Sequence, residues 1–393
     1  MYTESQIKSV TRVLKNNKTN YWTGNECINF ENEFSRYIGK KYSVAVANGS
    51  VALEIAIKTL NLKKNDQIIV TPRSFVISAS CVLNLDLSPL FADVDDNGNL
   101  NIESIKSVYN KNVKAIILVH LNGLPCDMSP ILKFAKKKNI FLIEDCSQAH
   151  GAFYKNKPVG SFGDISTWSF CQDKIISTGG EGGMISTNNK KIWNKCWSIK
   201  EHGKSYKKSF SKKKYIFNWL HENLGSNYRM TEMQAAIGRC QLKNLNIQVH
   251  KRNQIATMYM RDLNMYFGKN ALFKKIDFRC NTCPLRKNKI IKKCNLCRHA
   301  FYRLNIFLNS IKFKRDKLIK TLNNNNISCG SGSCPEIYLE RIFKKLRFFP
   351  KKRLMNAKLL GETSLMFPIN PYRSKILIKK EISKIKNILK TYL

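Results

Sequence analysis

Ser169-Phe170-Cys171-Gln172-Asp173-Lys174-Ile175-Ile176-Ser177-Thr178-Gly179-Gly180-Glu181-Gly182-Gly183-Met184 sets one lysine between a Ser-Phe pair and a run with four glycines in five residues. In a chain this rich in lysine, most such side chains are solvated surface groups. Lys174 stands apart because the glycines build a loop for close backbone approach and not a charged face. A lysine that forms a Schiff base needs that setting, within reach of an aldehyde and partly desolvated so that its amine is nucleophilic.

Working outward from this loop, short β-branched runs alternate with amphipathic stretches. Strands are expected at 42–46, 67–70, 90–94, 115–119, 140–144 and 184–187, with helices at 51–60, 75–83 and 129–138. That alternation predicts an α/β fold, a mostly parallel sheet with helices on both faces. In such sheets ligands bind at the carboxyl ends of the strands. The pattern changes after about residue 246. Helical runs at 315–323 and 382–392 and a strand at 301–307 predict a smaller C-terminal α/β domain, and a long helix at 230–245 leads into the boundary. With 393 residues, two domains are the default expectation: 1–246 large, 247–393 small, the latter with a Cys-rich insertion near 280–297.

Two further motifs fall just after predicted strands. Asn48-Gly49-Ser50-Val51-Ala52 opens a helix, whose free N–H groups and partial positive charge suit an anion, with the Ser50 hydroxyl as an added donor. The same residues also make an ordinary N-cap. In Ile143-Glu144-Asp145-Cys146-Ser147-Gln148-Ala149-His150, Asp145 ends an apolar strand, where a carboxylate needs a partner. A protonated ring nitrogen is one candidate; capping the next helix is the other.

In order and spacing, the three elements resemble the DegT-type nucleotide-sugar aminotransferases, fold-type I enzymes that use pyridoxal 5'-phosphate (PLP). Further matches are Phe30-Glu31-Asn32-Glu33-Phe34, Thr71-Pro72-Arg73-Ser74-Phe75, Val119-His120-Leu121-Asn122-Gly123, Gly160-Ser161-Phe162-Gly163-Asp164, Asn227-Tyr228-Arg229-Met230-Thr231-Glu232 and Gly332-Ser333-Cys334-Pro335-Glu336-Ile337-Tyr338.

The resemblance implies roles for particular residues. Lys174 bonds the PLP aldehyde and later shuttles a proton, and Asp145 keeps the pyridine nitrogen protonated. Gln148 contacts the ring's phenolic oxygen, and Phe75 stacks on the ring. Ser50, the Val51 backbone and Ser169 bind the phosphate, while Asn227 reaches the phosphate of a neighbouring subunit in a homodimer. His202 and Arg229 are candidates for sugar or donor-carboxylate contacts. Relatives that dehydrate sugars carry histidine in place of Lys174, so the resemblance implies transamination of a nucleotide-linked keto-deoxy sugar, with glutamate as donor, for glycan, lipopolysaccharide or antibiotic-sugar assembly. The chain departs from the pattern at Asp86-Leu87, where relatives usually have Gly-Ala.

Composition adds bounds. The formal charge is +41, from 68 Lys+Arg against 27 Asp+Glu. The basic residues are spread through every segment alongside abundant Asn and Ile, which reads as compositional drift and not as a clustered nucleic-acid footprint. The first residues lack the apolar core of a signal peptide and no apolar run is long enough to cross a bilayer, so a cytoplasmic protein without membrane or nucleic-acid partners is expected. In a reducing compartment the 13 cysteines are thiols or ligands. Cys280, Cys283, Cys294 and Cys297 form two C-x2-C pairs whose spacing suits a tetrahedral structural zinc, or else a metal-free cysteine-rich loop. The competing functional readings are a regulatory PLP-fold protein without turnover and a zinc- or nucleic-acid-binding protein.

Overall fold

The computed structural model describes residues 2–211, 217, 219–267, 272–274 and 296–391. Its strands in chain order are β1 (Tyr42–Val46), β2 (Gln67–Val70), β3 (Ser88–Phe91), β4 (Val113–Val119), β5 (Phe141–Asp145), a short ribbon of β6 (Phe153–Tyr154) and β7 (Lys157–Pro158), then β8 (Ile165–Ser169) and β9 (Gly183–Thr187). Apart from the ribbon they form one sheet in the order β1-β9-β8-β5-β4-β2-β3. Strands β3, β2, β4, β5 and β8 run parallel. Strand β9 runs antiparallel to both β8 and β1, pairing Gly183 with Ser169 and with Val46.

That reversal positions the site. Because β9 begins where β1 and β8 end, the loop carrying Lys174 is delivered to the edge at which β5 ends in Asp145. The strands are buried almost throughout, as expected of a sheet covered on both faces.

Strand β8 is the element that the sequence hides. Ile-Ser-Thr-Trp-Ser has no apolar alternation, yet all five residues are buried. Its polar groups are absorbed locally: Trp168 Nε1 donates to Ser166 Oγ at 3.3 Å, and Thr167 Oγ1 donates to the Glu144 carbonyl at 3.5 Å. The strand expected at 90–94 lies at Ser88–Phe91. Before it, Asp86 adopts φ 56°, so the position usually held by glycine keeps its left-handed turn with one of the few other residues that tolerate it.

The helix expected at 230–245 is longer, Glu232–Asp262, opened by a capping box in which Thr231 and Gln234 satisfy each other's ends. It crosses residue 246 without a break. Its first half packs on the sheet through Ala235, Leu242, Leu245 and Val249. Its second half joins a separate core, where Ile255, Ala256 and Tyr259 meet the antiparallel pair β10 (Arg303–Phe307) and β11 (Ser364–Pro368). Helices Arg315–Asn324 and Lys375–Lys390 complete that core. The last begins earlier than expected because Ser374 caps it, accepting from the Leu377 amide. Among the described residues no helix is long and apolar enough to cross a membrane.

Candidate active site

A cavity of about 680 Å³ opens at the carboxyl edge of the sheet, lined by Ser50, Phe75, Asp145, Gln148, Ser169 and Lys174. Six residues singled out from sequence thus share one site.

One wall is the start of the helix Gly49–Lys58, whose first-turn amides have no intrahelical partner. A Cβ on Gly49 would lie 2.6 Å from Ser169 Cβ, so glycine is required for this helix end to sit against β8. Asn48 caps the helix by accepting from the Val51 amide at 2.9 Å. The Val51 N–H is therefore engaged, and Val51 does not line the cavity; the amides of Gly49 and Ser50 are the better-placed donors. The two readings left open for this motif, N-cap and anion cradle, are both compatible with the geometry.

Asp145 is buried and held by neutral donors, the Ser147 amide at 3.1 Å and the Ser78 hydroxyl at 3.4 Å. Its negative charge is thus available to a cation entering the cavity. Gln148 uses its carbonyl oxygen to accept from the Asn122 amide at 2.7 Å, which leaves its NH2 group as a donor. Phe75 is 65% exposed, an aromatic face with no ring against it among the described residues.

Lys174 Nζ lies 3.3 Å from Asp173 Oδ1 and 3.5 Å from Tyr302 Oη. Burial pulls the Lys174 ammonium down, but Tyr302 and Asp173 more than offset it and hold its pKa above the ordinary lysine value. Tyr302, with Arg303, enters the cavity from the segment leading into β10. Sequence reasoning missed both, together with Asp173. Tyr302 comes from a segment 128 residues away from Lys174, and no local pattern marks it.

Asn227, His202 and Arg229 do not line this cavity. They gather at a different surface, where Glu201 pairs with Asn227 and the His202 amide donates to the Ser226 carbonyl at 3.0 Å. Arg229 is bound to Glu201 at 2.8 Å through Nη1, which engages one end of its guanidinium. Behind them Lys200, fully buried, lies 3.6 Å from Glu31 and 3.5 Å from Glu201 with its Nζ over the Tyr21 ring.

His120, Glu144 and Cys146 place three ligand-type atoms close together beneath the site. Hydrogen bonding accounts for the cluster without an ion. His120 Nδ1 accepts from the Cys126 amide at 3.1 Å, so Nε2 carries the proton and donates to Glu144 at 3.1 Å. Glu144 also accepts from the amides of Gly160, Phe162 and Gly163, which with His120 hold its pKa down against the upward pull of burial. The Gly160-Ser161-Phe162-Gly163 motif is thereby explained as the cap on a buried carboxylate. Of the proposed zinc ligands, Cys280, Cys283 and Cys294 lie outside the described residues. Cys297 is half-buried, next to Leu296 and Arg298, which pair with the β6–β7 ribbon.

A strand-end carboxylate, a lysine in a glycine-rich loop and a helix start, brought to one edge of a mostly parallel sheet, define an α/β transferase of the PLP aminotransferase fold. The chain belongs to the DegT/DnrJ/EryC1/StrS aminotransferase family, whose profile matches residues 1–385. It is similar to the GDP-perosamine synthase of Escherichia coli O157:H7, 38% identical over 242 residues, which is 61% of this chain and 64% of that enzyme. The solved aminotransferase from Psychrobacter cryohalolentis superposes with a TM-score of 0.93 at 40% identity, covering 100% of this chain and 98% of the other. The fold is shared more widely. An E. coli GDP-4-keto-6-deoxy-D-mannose-3-dehydratase matches with a TM-score of 0.85 at 24% identity, over 99% of this chain and 97% of its own.

Proposed function

We propose that the chain is a PLP-dependent aminotransferase that moves an amino group from glutamate onto a nucleotide-linked keto-deoxy sugar, for glycan, lipopolysaccharide or antibiotic-sugar assembly. The observation that carries this reading is the convergence of Lys174, Asp145 and the Gly49–Lys58 helix start on one cavity. These residues fit the cofactor. The cradle at Gly49, Ser50 and Ser169 suits a phosphate, the free charge of Asp145 a protonated ring nitrogen, and the spare NH2 of Gln148 a phenolic oxygen. The open face of Phe75 suits a ring. When bound, PLP supplies an aldehyde that carries the transferred nitrogen and a ring that delocalises the electron pair left on the substrate carbon.

The chain's own residues supply the rest. Lys174 Nζ holds the cofactor between turnovers and, once displaced, moves the proton to and from the substrate carbon. Asp145 keeps the ring nitrogen cationic, which it can do because no cation among the described residues competes in its hydrogen bonds. The same fold serves a sugar dehydratase, so fold alone does not choose the reaction; a lysine at position 174, where dehydrating relatives carry histidine, favours transamination. We further propose that the working unit is a cytoplasmic homodimer. Asn227 stands outside its own cavity and is free to complete a neighbour's phosphate site, with His202 and Arg229 beside it. Residues 1–246 and 247–393 serve as the proposed large and small domains, with the core changing inside the helix Glu232–Asp262. We also propose the four-cysteine zinc site, as an accessory that the chemistry does not use.

The deciding experiment incubates the purified protein with glutamate and a panel of nucleotide-linked 3-keto and 4-keto sugars and reads products by mass spectrometry. Replacement of a keto oxygen by an amino group on one of them is expected. A PLP-loaded protein that leaves every keto sugar and glutamate unchanged would favour the regulatory reading instead.

A further inference from the structure

Asp173 and Tyr302 come from distant parts of the chain and meet at Lys174. The Tyr302 hydroxyl donates to Asp173 Oδ2, while Asp173 Oδ1 faces Lys174 Nζ at 3.3 Å. The phenol also lies beside the amine, with Nζ 5.0 Å from the ring centroid, and Arg303 closes the far side of Asp173 at 3.6 Å. Tyr302 is held firmly. Its amide donates to the Asn122 carbonyl at 3.0 Å and that of Ala300 to Gly123 at 2.9 Å, both at the end of β4. Between them Phe301 adopts φ 48°, a left-handed conformation unusual for an aromatic residue, and His299 stacks on its ring at 3.8 Å. Strain of this kind persists only where the surroundings fix it, and here it turns Tyr302 toward the lysine loop.

We propose that Asp173 and Tyr302 are a positioning pair that sets the proton on Lys174: Asp173 stabilises the ammonium, and Tyr302 both accepts from Nζ and fixes that carboxylate beside it. The inference rests on the reading of Lys174 as the PLP lysine. Among the described residues the titratable groups facing Nζ are Asp173 and Tyr302 directly, with Arg303 behind Asp173; the buried His150 lies within electrostatic reach, and Asp145 and Glu181 line the same cavity. To bond an aldehyde carbon, the amine must first lose a proton, to Asp173 or to solvent. The aldehyde oxygen then leaves as water with the two remaining nitrogen hydrogens. A paired ammonium therefore captures the aldehyde slowly at neutral pH, and the lysine is released for chemistry when the pair is disturbed. The raised Lys174 pKa agrees with this direction.

The test uses the full chain freed of cofactor, adds PLP across a pH series, traps the product with borohydride and quantifies the adduct at Lys174 by peptide mapping. Asp173→Asn is expected to shift the capture profile to lower pH and to speed capture near neutrality on the order of fivefold to tenfold, as loss of one close opposite charge predicts. Tyr302→Phe should shift it the same way by less, and the double variant should shift it by less than the sum of the two, because part of the Tyr302 effect runs through Asp173. Asp173→Glu, which keeps the charge, should stay near the wild-type profile. Asp173 is 45% exposed, so its substitutions leave the core intact, whereas Tyr302 is buried in the core and Tyr302→Phe keeps the ring; thermal unfolding checks both. Profiles that overlie the wild type, slower capture without a pH shift, or additive effects of the two substitutions would overturn the proposal. No adduct on Lys174 in the wild type would overturn the cofactor reading itself.

Discussion

The carboxyl edge of the sheet and the surface around Asn227 are both built from buried polar groups, but they are built for different ends. At the sheet edge, Asp145, Ser169 and Lys174 come from separate strands and loops, and the reversal of β9 brings them to one cavity. Around Asn227 the charged groups turn on one another: Glu201 Oε2 takes Arg229 and the Trp22 indole, while Lys200 Nζ is buried between Glu201 and Glu31 by charge and without a hydrogen bond. The first region keeps free valences facing a cavity. The second spends its charges internally and presents Asn227 outward on a fixed backbone. In the proposed homodimer, a site with open donors and a surface residue outside that site are the two parts that would meet across neighbouring copies.

The sharpest way to break this contrast is at the cavity. Lys174→Ala should lower amination by about 10³-fold or more, since the group proposed to bond the cofactor and move the proton is lost. Borohydride reduction of the native protein should place the pyridoxyl adduct on Lys174, and an adduct on another lysine would void the assignment. At the other region, on the proposed role, Asn227→Ala would remove one hydrogen bond to a charged group and should weaken PLP retention by roughly 10- to 10²-fold. Borohydride trapping at Lys174 should survive. Sedimentation analysis supplies the check, because a strictly monomeric protein with full activity would separate Asn227 from the site altogether.

A subtler difference is expected in acid. Burial between Trp168 and Phe170 depresses the His150 imidazole from 6.5 to about 3. A depressed pKa in the folded state means that the unfolded chain binds the proton first. The stabilisation is therefore complete above about pH 6.5 and is lost as pH falls toward 3, at up to about 1.4 kcal/mol per pH unit for one proton. His150→Phe, which keeps the ring packing, should flatten the dependence of the unfolding midpoint on pH in that window. An unchanged slope would show that His150 is not a neutral buried group. His299, also pushed down to about 3 by burial, contributes a second proton in the same range and remains in the variant. The smallest effect on catalysis is expected from the cysteines. Protein purified without a histidine tag should carry about one zinc per chain, and stripping it should expose the 280–297 segment to proteolysis while PLP stays bound. Metal-free protein with equal protease resistance would leave the pairs as a plain loop.

Much of the cavity could be read along the chain because its residues sit in local patterns tied to strand ends. Asp145 ends an apolar run, Asn48-Gly49-Ser50 opens a helix and Lys174 lies among glycines, and each pattern is a consequence of short-range backbone chemistry. The strands with β-branched runs were legible for the same reason, whereas β8 was not, because its polar Thr167 finds the Glu144 carbonyl only once the sheet is assembled. The turn at Asp86 looked irregular in sequence and proved regular in space, since a left-handed φ needs tolerance of the conformation and not glycine itself. What only the tertiary structure decided is what meets across the chain. The antiparallel entry of β9 carries the lysine loop to Asp145, Tyr302 arrives at Lys174 from beyond the long helix, and Asn227 is left outside the cavity. Residue type and spacing encode which groups can do chemistry, but burial and the pairing of distant strands determine which of them face one another.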